Sequence, residues 1–304
     1  MSIDAVKTTD GSRPELAALP VNAPIGYVGD MLLPQVKIAT KAGTVYDMQL
    51  VADASATTSR SAGSAPTAVS ITENSSAIST AEVIKRYKIP YESVPLLGGV
   101  AAVDALGAKA SKRSVQNAME TAQLAAVVTG AGTSITSAIV DGIIDAADQV
   151  HRYNGRTAFV CNVGQYRWLM QQDEVKNLLV RTFGGLGAVE SLSLTKNVFQ
   201  NMLQALFGFD AVLVADDTFW PYAYRTTAAV VKLPTADETS YVTDPELGRT
   251  FVYWPTNDGP YEINSFADDD IRANVYDCVS WYDAEIFNSG ASVLLQISTS
   301  GSTT

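Results

Sequence analysis

A long helical pattern bounded by glycines constrains the fold of this chain more than any other feature. Apolar residues recur at helical spacing through 103–126, with one slip. Gly98 and Gly99 precede the pattern and further glycines fall within 130–132, which marks both ends. A helix unbroken over 100–128 would be roughly 40 Å long, whereas helices in globular proteins usually have ~10–14 residues. The small Ala and Val side chains of its apolar face predict that another element packs close against it.

A polar segment precedes this helix and lies between two patterns that are typical of strands. Thirteen of the 29 residues in 53–81 are Ser or Thr, and Arg60 is the only basic residue among them. Apolar residues alternate with polar ones in 46–50 and again in 69–89, as in half-buried strands. The pattern predicts one long β-hairpin over 41–90. Loops of this length are uncommon unless they are functional, so we expect the hairpin to lie on a neighbouring molecule; a disordered linker is the alternative.

The N-terminal residues predict a second appendage. Residues 1–24 are polar with scattered prolines, which is typical of an extended or mobile arm. Neither the arm nor the hairpin tip has an apolar face that it could bury against its own core. We therefore expect identical copies of the chain to cover both appendages, which makes the chain a building block that contacts copies of itself.

The sequence from residue 134 onward predicts a mixed core. A helix over 139–150, a buried strand over 157–161 and a helix capped by Asn162 come first, followed by a helix over 198–206 and a strand over 211–215. This alternation indicates a compact α+β or α/β subdomain. The final third is rich in strand patterns, so the fold class is α+β. The predicted strands of that region are 222–233, 249–254, 260–266, a long strand within 267–286, and 291–297.

The charge balance and the cysteines limit the possible functions. Lys plus Arg is 21 against 32 Asp plus Glu, which gives a formal net charge of -11. Binding of nucleic acid by phosphate neutralisation needs clustered Lys and Arg, so we do not expect that function. No window reaches the ~18 apolar residues of a spanning helix, and the polar N-terminus lacks a secretory signal. Cys161 and Cys278 lack CxxC spacing and are typical of reduced cytoplasmic thiols.

No catalytic constellation is visible in the sequence. His151 is the only histidine, and at the end of a predicted helix it fits a partner for the helix dipole better than a catalytic base. A zinc site needs more His or Cys ligands, and Ser-His-Asp catalysis lacks a GxSxG turn. We therefore predict no catalytic residues, no metal site and no cofactor, and we expect that the chain is not an enzyme.

Two charge clusters are candidates for contacts between subunits. The basic cluster 85–88 lies at the base of the predicted hairpin and is either a solvated strand face or a set of salt bridges to an acidic patch on a neighbour. The acidic cluster 268–270 lacks the spacing and central Gly of a calcium loop. It is a solvated strand entry, a charge patch that faces a neighbouring subunit, or a metal site. The candidate assembly interface consists of Arg60, Lys85, Arg86, Lys88, Asp268, Asp269 and Asp270.

The order and lengths of these parts resemble the major capsid proteins of tailed phages, which have the Hong Kong 97-type fold. The resemblance extends from about residue 25 to the C-terminus. It rests on the arm, the hairpin, the long helix, the mixed subdomain and the strand segment VYDCVSWYDAEIFNSGASVLLQI. The boundaries that it implies are an N-terminal arm over 1–40, an extended loop over 41–90, a spine helix of the peripheral domain over 91–133, an axial domain over 134–235, and return strands of the peripheral domain over 236–304.

The resemblance implies a shell of pentamers and hexamers around packaged double-stranded DNA, without sequence-specific DNA binding and without a membrane. It also implies a portal protein and scaffolding or decoration proteins as partners, a place in the virion, and assembly in the host cytoplasm. Residues 42–84 contain no Lys, so the Lys-Asn crosslink of the type member is not expected from this loop. The alternatives are an encapsulin-type compartment, which shares the fold, and an α+β hydrolase that would depend on His151 or Asp270.

Overall fold

The structure is a computed structural model that describes residues 3–20, 27–49, 72–130, 133–135, 138–151, 155–182, 196–235, 246–254 and 259–296. The helices in these ranges are α1 (Pro14–Ala17), α2 (Gly29–Leu32), α3 (Val100–Thr129), α4 (Ile139–His151), α5 (Val163–Gln171), α6 (Asp173–Thr182) and α7 (Lys196–Phe207). The strands are β1 (Gly11–Ser12), β2 (Gln35–Ile38), β3 (Ala42–Gln49), β4 (Thr72–Ser79), β5 (Ala81–Pro90), β6 (Thr133–Ile135), β7 (Thr157–Asn162), β8 (Ala211–Ala215), β9 (Thr227–Lys232), β10 (Gly248–Tyr253), β11 (Glu262–Asp268), β12 (Ala273–Ile286) and β13 (Ser292–Gln296).

The long helix is present as α3, which has 30 residues. It begins after Gly99, whose φ of 97° with an extended ψ is open only to glycine, and Gly130 caps its C-terminal end. The predicted close packing is also confirmed, because a Cβ atom added at Gly107 would overlap the ring of Tyr276. The small residues of α3 therefore let β12 approach the helix backbone directly.

Strand β12 is the centre of a six-stranded sheet. β5 pairs antiparallel with residues 273–282 along one edge of β12. β11 and β10 pair one after the other with the opposite edge, and β1 and β2 extend the sheet beyond them. Side chains alternate along a strand, so Tyr276 and Tyr282 face α3 while Val275 and Trp281 face the other side. The sequence predicted a long strand within 267–286, and β12 is that strand.

The hairpin prediction is confirmed at its base and wrong at its return strand. β3 pairs antiparallel with β4 from Ala42↔Ser79 to Gln49↔Thr72, whereas the far part of the hairpin, with Arg60, lies outside the described residues. β5 does not belong to the hairpin, because it pairs with β12. Two apolar residues of β5 pack with residues of α3 rather than with a hairpin partner: Val83 is partly buried near Met119, and Ile89 is buried with Val103.

The N-terminal arm lies on its own chain, which contradicts the expectation that only other copies cover it. Thr8 is buried, and its backbone N–H donates to Oδ1 of Asn274 at 2.9 Å. Leu16 and Ala17 share a buried cluster with Val115 of α3. These contacts are short and scattered among polar residues, so no continuous apolar pattern marked them in the sequence.

A second sheet of five strands has the order β6-β13-β9-β7-β8. β7 and β8 are parallel, and β9 is antiparallel to both β7 and β13. The predicted cap of α5 is confirmed: Oδ1 of Asn162 accepts from the backbone N–H of Gln165, and the Gln165 side chain accepts from the Asn162 N–H in return. This capping box places the start of α5 directly after β7.

The last strand differs from the boundary that the sequence implied. β13 pairs with β9 in the five-stranded sheet, whereas the prediction placed residues 236–304 together as return strands of the peripheral domain. The apolar alternation of residues 292–296 indicates a strand but not which sheet it joins. The chain therefore leaves the six-stranded sheet at Ile286 and returns to the sheet formed by the preceding segment.

Helix α3 contacts both sheets, which explains its length. Near its N-terminus, Val103 packs with Tyr276 of the six-stranded sheet. Near its C-terminus, Leu124 and Val127 share a buried cluster with Val160 of β7. Each fully buried side chain of this size contributes about 1.5–3 kcal/mol to folding, so α3 fixes the two sheets to each other. Among the described helices, none combines the length and hydropathy that crossing a membrane requires.

Candidate assembly interface

Strand β5 forms an open edge of the six-stranded sheet. One edge of β5 pairs with β12, and no other strand in the described ranges pairs with the opposite edge. Most of its side chains are exposed. Among them, Ile84 has 52% of its surface accessible and Tyr87 has 40%. An exposed edge presents unpaired N–H and C=O groups that another chain can pair with, so β5 is a candidate contact surface.

The three basic residues of β5 have different roles in the structure. Arg86 donates from Nε and Nη2 to the two carboxylate oxygens of Asp277, each at 2.7 Å, and these hydrogen bonds raise the pKa of Arg86. Lys85 and Lys88 are exposed, and no described residue forms an ion pair with either. Because side chains alternate along a strand, these two lysines lie on opposite faces of β5 and flank its open edge.

The three aspartates also differ: Asp268 is the last residue of β11, and Asp269 and Asp270 lie exposed in the turn between β11 and β12. The Asp268 carboxylate accepts from the backbone N–H groups of Asp270 and Ile271 and so shapes the turn. Asp269 accepts from Nζ of Lys7 at 2.8 Å and from the Tyr91 hydroxyl at 2.9 Å, and both hydrogen bonds lower the pKa of Asp269. Among the described residues, Asp270 has no side-chain partner and is exposed. Of these acids, Asp270 is thus the one available to another molecule.

A cluster of exposed apolar side chains lies beside this turn and was not recognised from the sequence. The backbone N–H of Tyr91 donates to the carbonyl of Arg272 at 2.9 Å, which places the segment before α3 beside the β11–β12 turn. Leu96 in this segment has 88% of its surface accessible, and Leu97 and Ile271 are also exposed. The pair Leu96-Leu97 immediately before two glycines was the signal that could have marked it.

The base of the hairpin is fixed to its own sheet. Ile78 is only 4% exposed and packs with Val36 and Phe251. The backbone N–H of Ser79 donates to Oδ2 of Asp283 at 3.0 Å. The hairpin therefore leaves the six-stranded sheet in a defined direction, whatever its far part contacts.

The other residues considered for chemistry lie apart from this surface. His151 is exposed in the last turn of α4, where its position suits a dipole partner. Cys161 and Cys278 are buried free thiols. Within the described ranges, no three His, Cys, Asp or Glu side chains are grouped closely enough to hold a metal ion.

Comparisons with known proteins find structural but not sequence relatives. No protein-family profile and no curated protein sequence matches the chain. A phage-related protein from Bordetella bronchiseptica RB50 superposes with a TM-score of 0.68 at 12% identity, covering 95% of this chain and 98% of its own. The capsid of cyanophage P-SCSP1u superposes with a TM-score of 0.60 at 12% identity, and the match covers 93% of this chain and 92% of the capsid chain. The virus-like particle from Pyrococcus furiosus superposes with a TM-score of 0.52 at 9% identity, and the match covers 86% of this chain and 89% of the particle's chain. At such low identity the likeness is one of fold.

Proposed function

We propose that this chain, which has the Hong Kong 97-type fold of tailed-phage major capsid proteins, is itself a major capsid protein that assembles into an icosahedral shell. The observation that carries the proposal is the extent of the match. Two phage capsid chains align with it over at least 90% of their own length and over at least 92% of this chain. A shared subdomain alone would leave the arm, the hairpin or one of the sheets unmatched.

The shell would consist of pentamers and hexamers around double-stranded DNA. A subunit with a formal net charge of -11 repels DNA rather than trapping it, which suits an enclosing wall without sequence-specific contacts. The role is structural and not enzymatic, and the chain belongs in the virion after assembly in the host cytoplasm. A portal protein and scaffolding or decoration proteins would complete the particle.

The fold supports assembly through many contacts of modest strength. The hairpin is fixed at its base and β5 has an open edge, so each subunit offers several surfaces to its neighbours. A lattice holds each subunit through all of these contacts at once, which makes the shell stable although each contact is weak. Main-chain pairing at an open strand edge is one such contact that tolerates a polar surface.

Electron microscopy and sedimentation of the purified chain, expressed alone and with candidate scaffolding proteins, test the proposal. Closed shells or capsomer rings are the expected result. A species that remains monomeric under all assembly conditions contradicts it. The contents of native particles separate the two shell functions, since packaged double-stranded DNA indicates a virion and enzyme cargo indicates an encapsulin-type compartment.

A further inference from the structure

Two exposed patches of the six-stranded sheet combine apolar side chains with opposite charges. The first, the edge patch, lies on β5 and consists of Ile84, Lys85, Tyr87 and Lys88. The second, the tip patch, lies on the segment before α3 and the β11–β12 turn and consists of Glu92, Leu96, Leu97, Asp270 and Ile271. Their charged residues have no ion-pair partner among the described residues.

The two patches form no ion pair with each other among the described residues. They lie near each other on one chain, because Pro90, two residues after Lys88, pairs with Ala273 at the start of β12. At ~3.3 Å per residue, Lys88 lies about 7 Å before Pro90. A second molecule can bring its own tip patch onto the open edge of β5.

We propose that the tip patch of one copy of this chain docks on the edge patch of the next copy. The apolar side chains form the centre of the contact, and Glu92 and Asp270 pair with Lys85 and Lys88 around it. Charge complementarity selects another copy as the occupant. The exposed cations Lys85 and Lys88 flank the open edge, the exposed acids Glu92 and Asp270 lie at the tip, and none of the four has an ion-pair partner among the described residues. Complementary charges raise the association rate and fix the register of such a contact.

The proposed contact is heterologous, since it joins two different patches. Repetition of such a contact generates closed rings when the rotation between copies closes. This inference rests on the proposed shell function and names one of the contacts by which the shell is built. Of the predicted interface residues, Lys85, Lys88 and Asp270 take part in this contact. Arg86 and Asp269 are paired within the chain and are not required for it.

Charge reversal tests the pairing. In the double variant K85E/K88E the edge patch becomes acidic like the tip patch. In E92K/D270K the tip patch becomes basic like the edge patch. Each alone should raise the protein concentration needed for assembly by roughly tenfold or more, because like charges then face each other. The chain with all four substitutions restores opposite charges and the original net charge, and it should assemble like the unmodified protein. In an equimolar mixture of the two double variants opposite charges meet where the variants alternate, so the mixture should also form rings with an even number of subunits.

Exposed basic residues on α3 provide the matched control. K109E/R113E changes the net charge by the same amount as K85E/K88E and should leave assembly unchanged. Circular dichroism and thermal unfolding verify that every variant is folded. If the double variants assemble normally, or if the four-substitution chain remains unassembled while the control assembles, the pairing is wrong although the shell function stands. If the unmodified chain itself forms no particles, the shell function fails instead.

Discussion

Single buried polar side chains determine where the N-terminal arm lies. The carboxylate of Asp104 on α3 accepts from the hydroxyls of Thr8 and Tyr276, each at 2.6 Å, and Arg13 forms an ion pair with it at 3.4 Å. Burial and this carboxylate raise the pKa of Tyr276, so its hydroxyl remains a donor. A buried carboxylate is tolerated only with such partners. One residue therefore joins the arm, the long helix and the central strand.

Replacement of Asp104 by Ala should loosen the arm. The hydroxyls of Thr8 and Tyr276 would lose their acceptor in a buried site, which costs about 1–3 kcal/mol of the free energy of unfolding. Urea unfolding measures the loss, and limited trypsin digestion after Lys7 reports whether the arm is released. The control is Asp145→Ala on the exposed face of α4, expected within about 0.5 kcal/mol of the unmodified protein. Equal stability of the two variants would contradict the role given to Asp104.

Glu120 predicts a dependence of stability on pH. Burial raises its pKa above the usual 4.5 although the N–H groups of Val28 and Gly29 donate to it, and the nearby Asp30 carboxylate raises the pKa further. The folded state then holds this proton to a higher pH than the unfolded chain does. The contribution of Glu120 to stability is therefore full below pH 4.5 and is lost as the pH rises through the raised pKa.

Glu120→Gln should remove this dependence, because the amide oxygen still accepts from α2 but carries no charge. Urea unfolding at a series of pH values measures the difference in free energy of unfolding between the two proteins. That difference should shift in favour of the Gln variant as the pH rises above 4.5. A difference that does not change with pH would show that the carboxyl titrates alike in the folded and unfolded chains.

At the scale of elements, local patterns were predictable and sheet membership was not. The long helix follows from its periodicity, and β7 and β8 follow from short continuous apolar runs, because the signal for each lies within its own residues. β5 and β13 were recognised as strands but joined to the wrong partners, since alternation records a buried face and not a neighbour. The helix α6 was missed. The charge clusters of the candidate interface were visible in the sequence. Their partners were not, because Arg86 pairs with Asp277 across more than 190 residues and Asp269 pairs with Lys7 across more than 260.

The base of the hairpin should depend on one buried isoleucine. Ile78→Ala removes side-chain atoms packed against Val36 and Phe251 and should cost about 2–5 kcal/mol, with faster amide hydrogen exchange in β3 and β4. Ile84→Ala is the matched control, because Ile84 is largely exposed and its loss should change the free energy of unfolding by less than about 0.5 kcal/mol. If exchange in β3 and β4 is unchanged in Ile78→Ala, the hairpin is held by other contacts.

At the scale of the whole molecule, the arm packs on its own subunit, whereas the open edge of β5 has no strand partner among the described residues. α3 joins the two sheets, and the arm covers part of the helix and of the six-stranded sheet, so these elements pack on one another within a single copy. In the described part of that copy, the edge of β5 that faces away from β12 has no strand partner, and the apolar tip is exposed. The need for a second copy therefore rests on the sheet edge and the tip, and not on the arm.

Assembly should protect the outward amides of β5. In free subunits the N–H groups that point away from β12 face solvent and should exchange rapidly, whereas in assembled shells their exchange should slow by roughly tenfold or more. Hydrogen-exchange mass spectrometry of subunits and particles measures this change. Amides of β7, which is flanked by β8 and β9, serve as the internal reference and should change little. Equal exchange of β5 in both states would mean that its edge stays open in the particle.

The contact between Lys7 and Asp269 has a practical consequence for protein engineering. It anchors Lys7 beside the β11–β12 turn, so a peptide inserted ahead of Lys7 would emerge near the tip patch. An affinity tag or a displayed epitope placed there would compete with a neighbouring subunit for the same space.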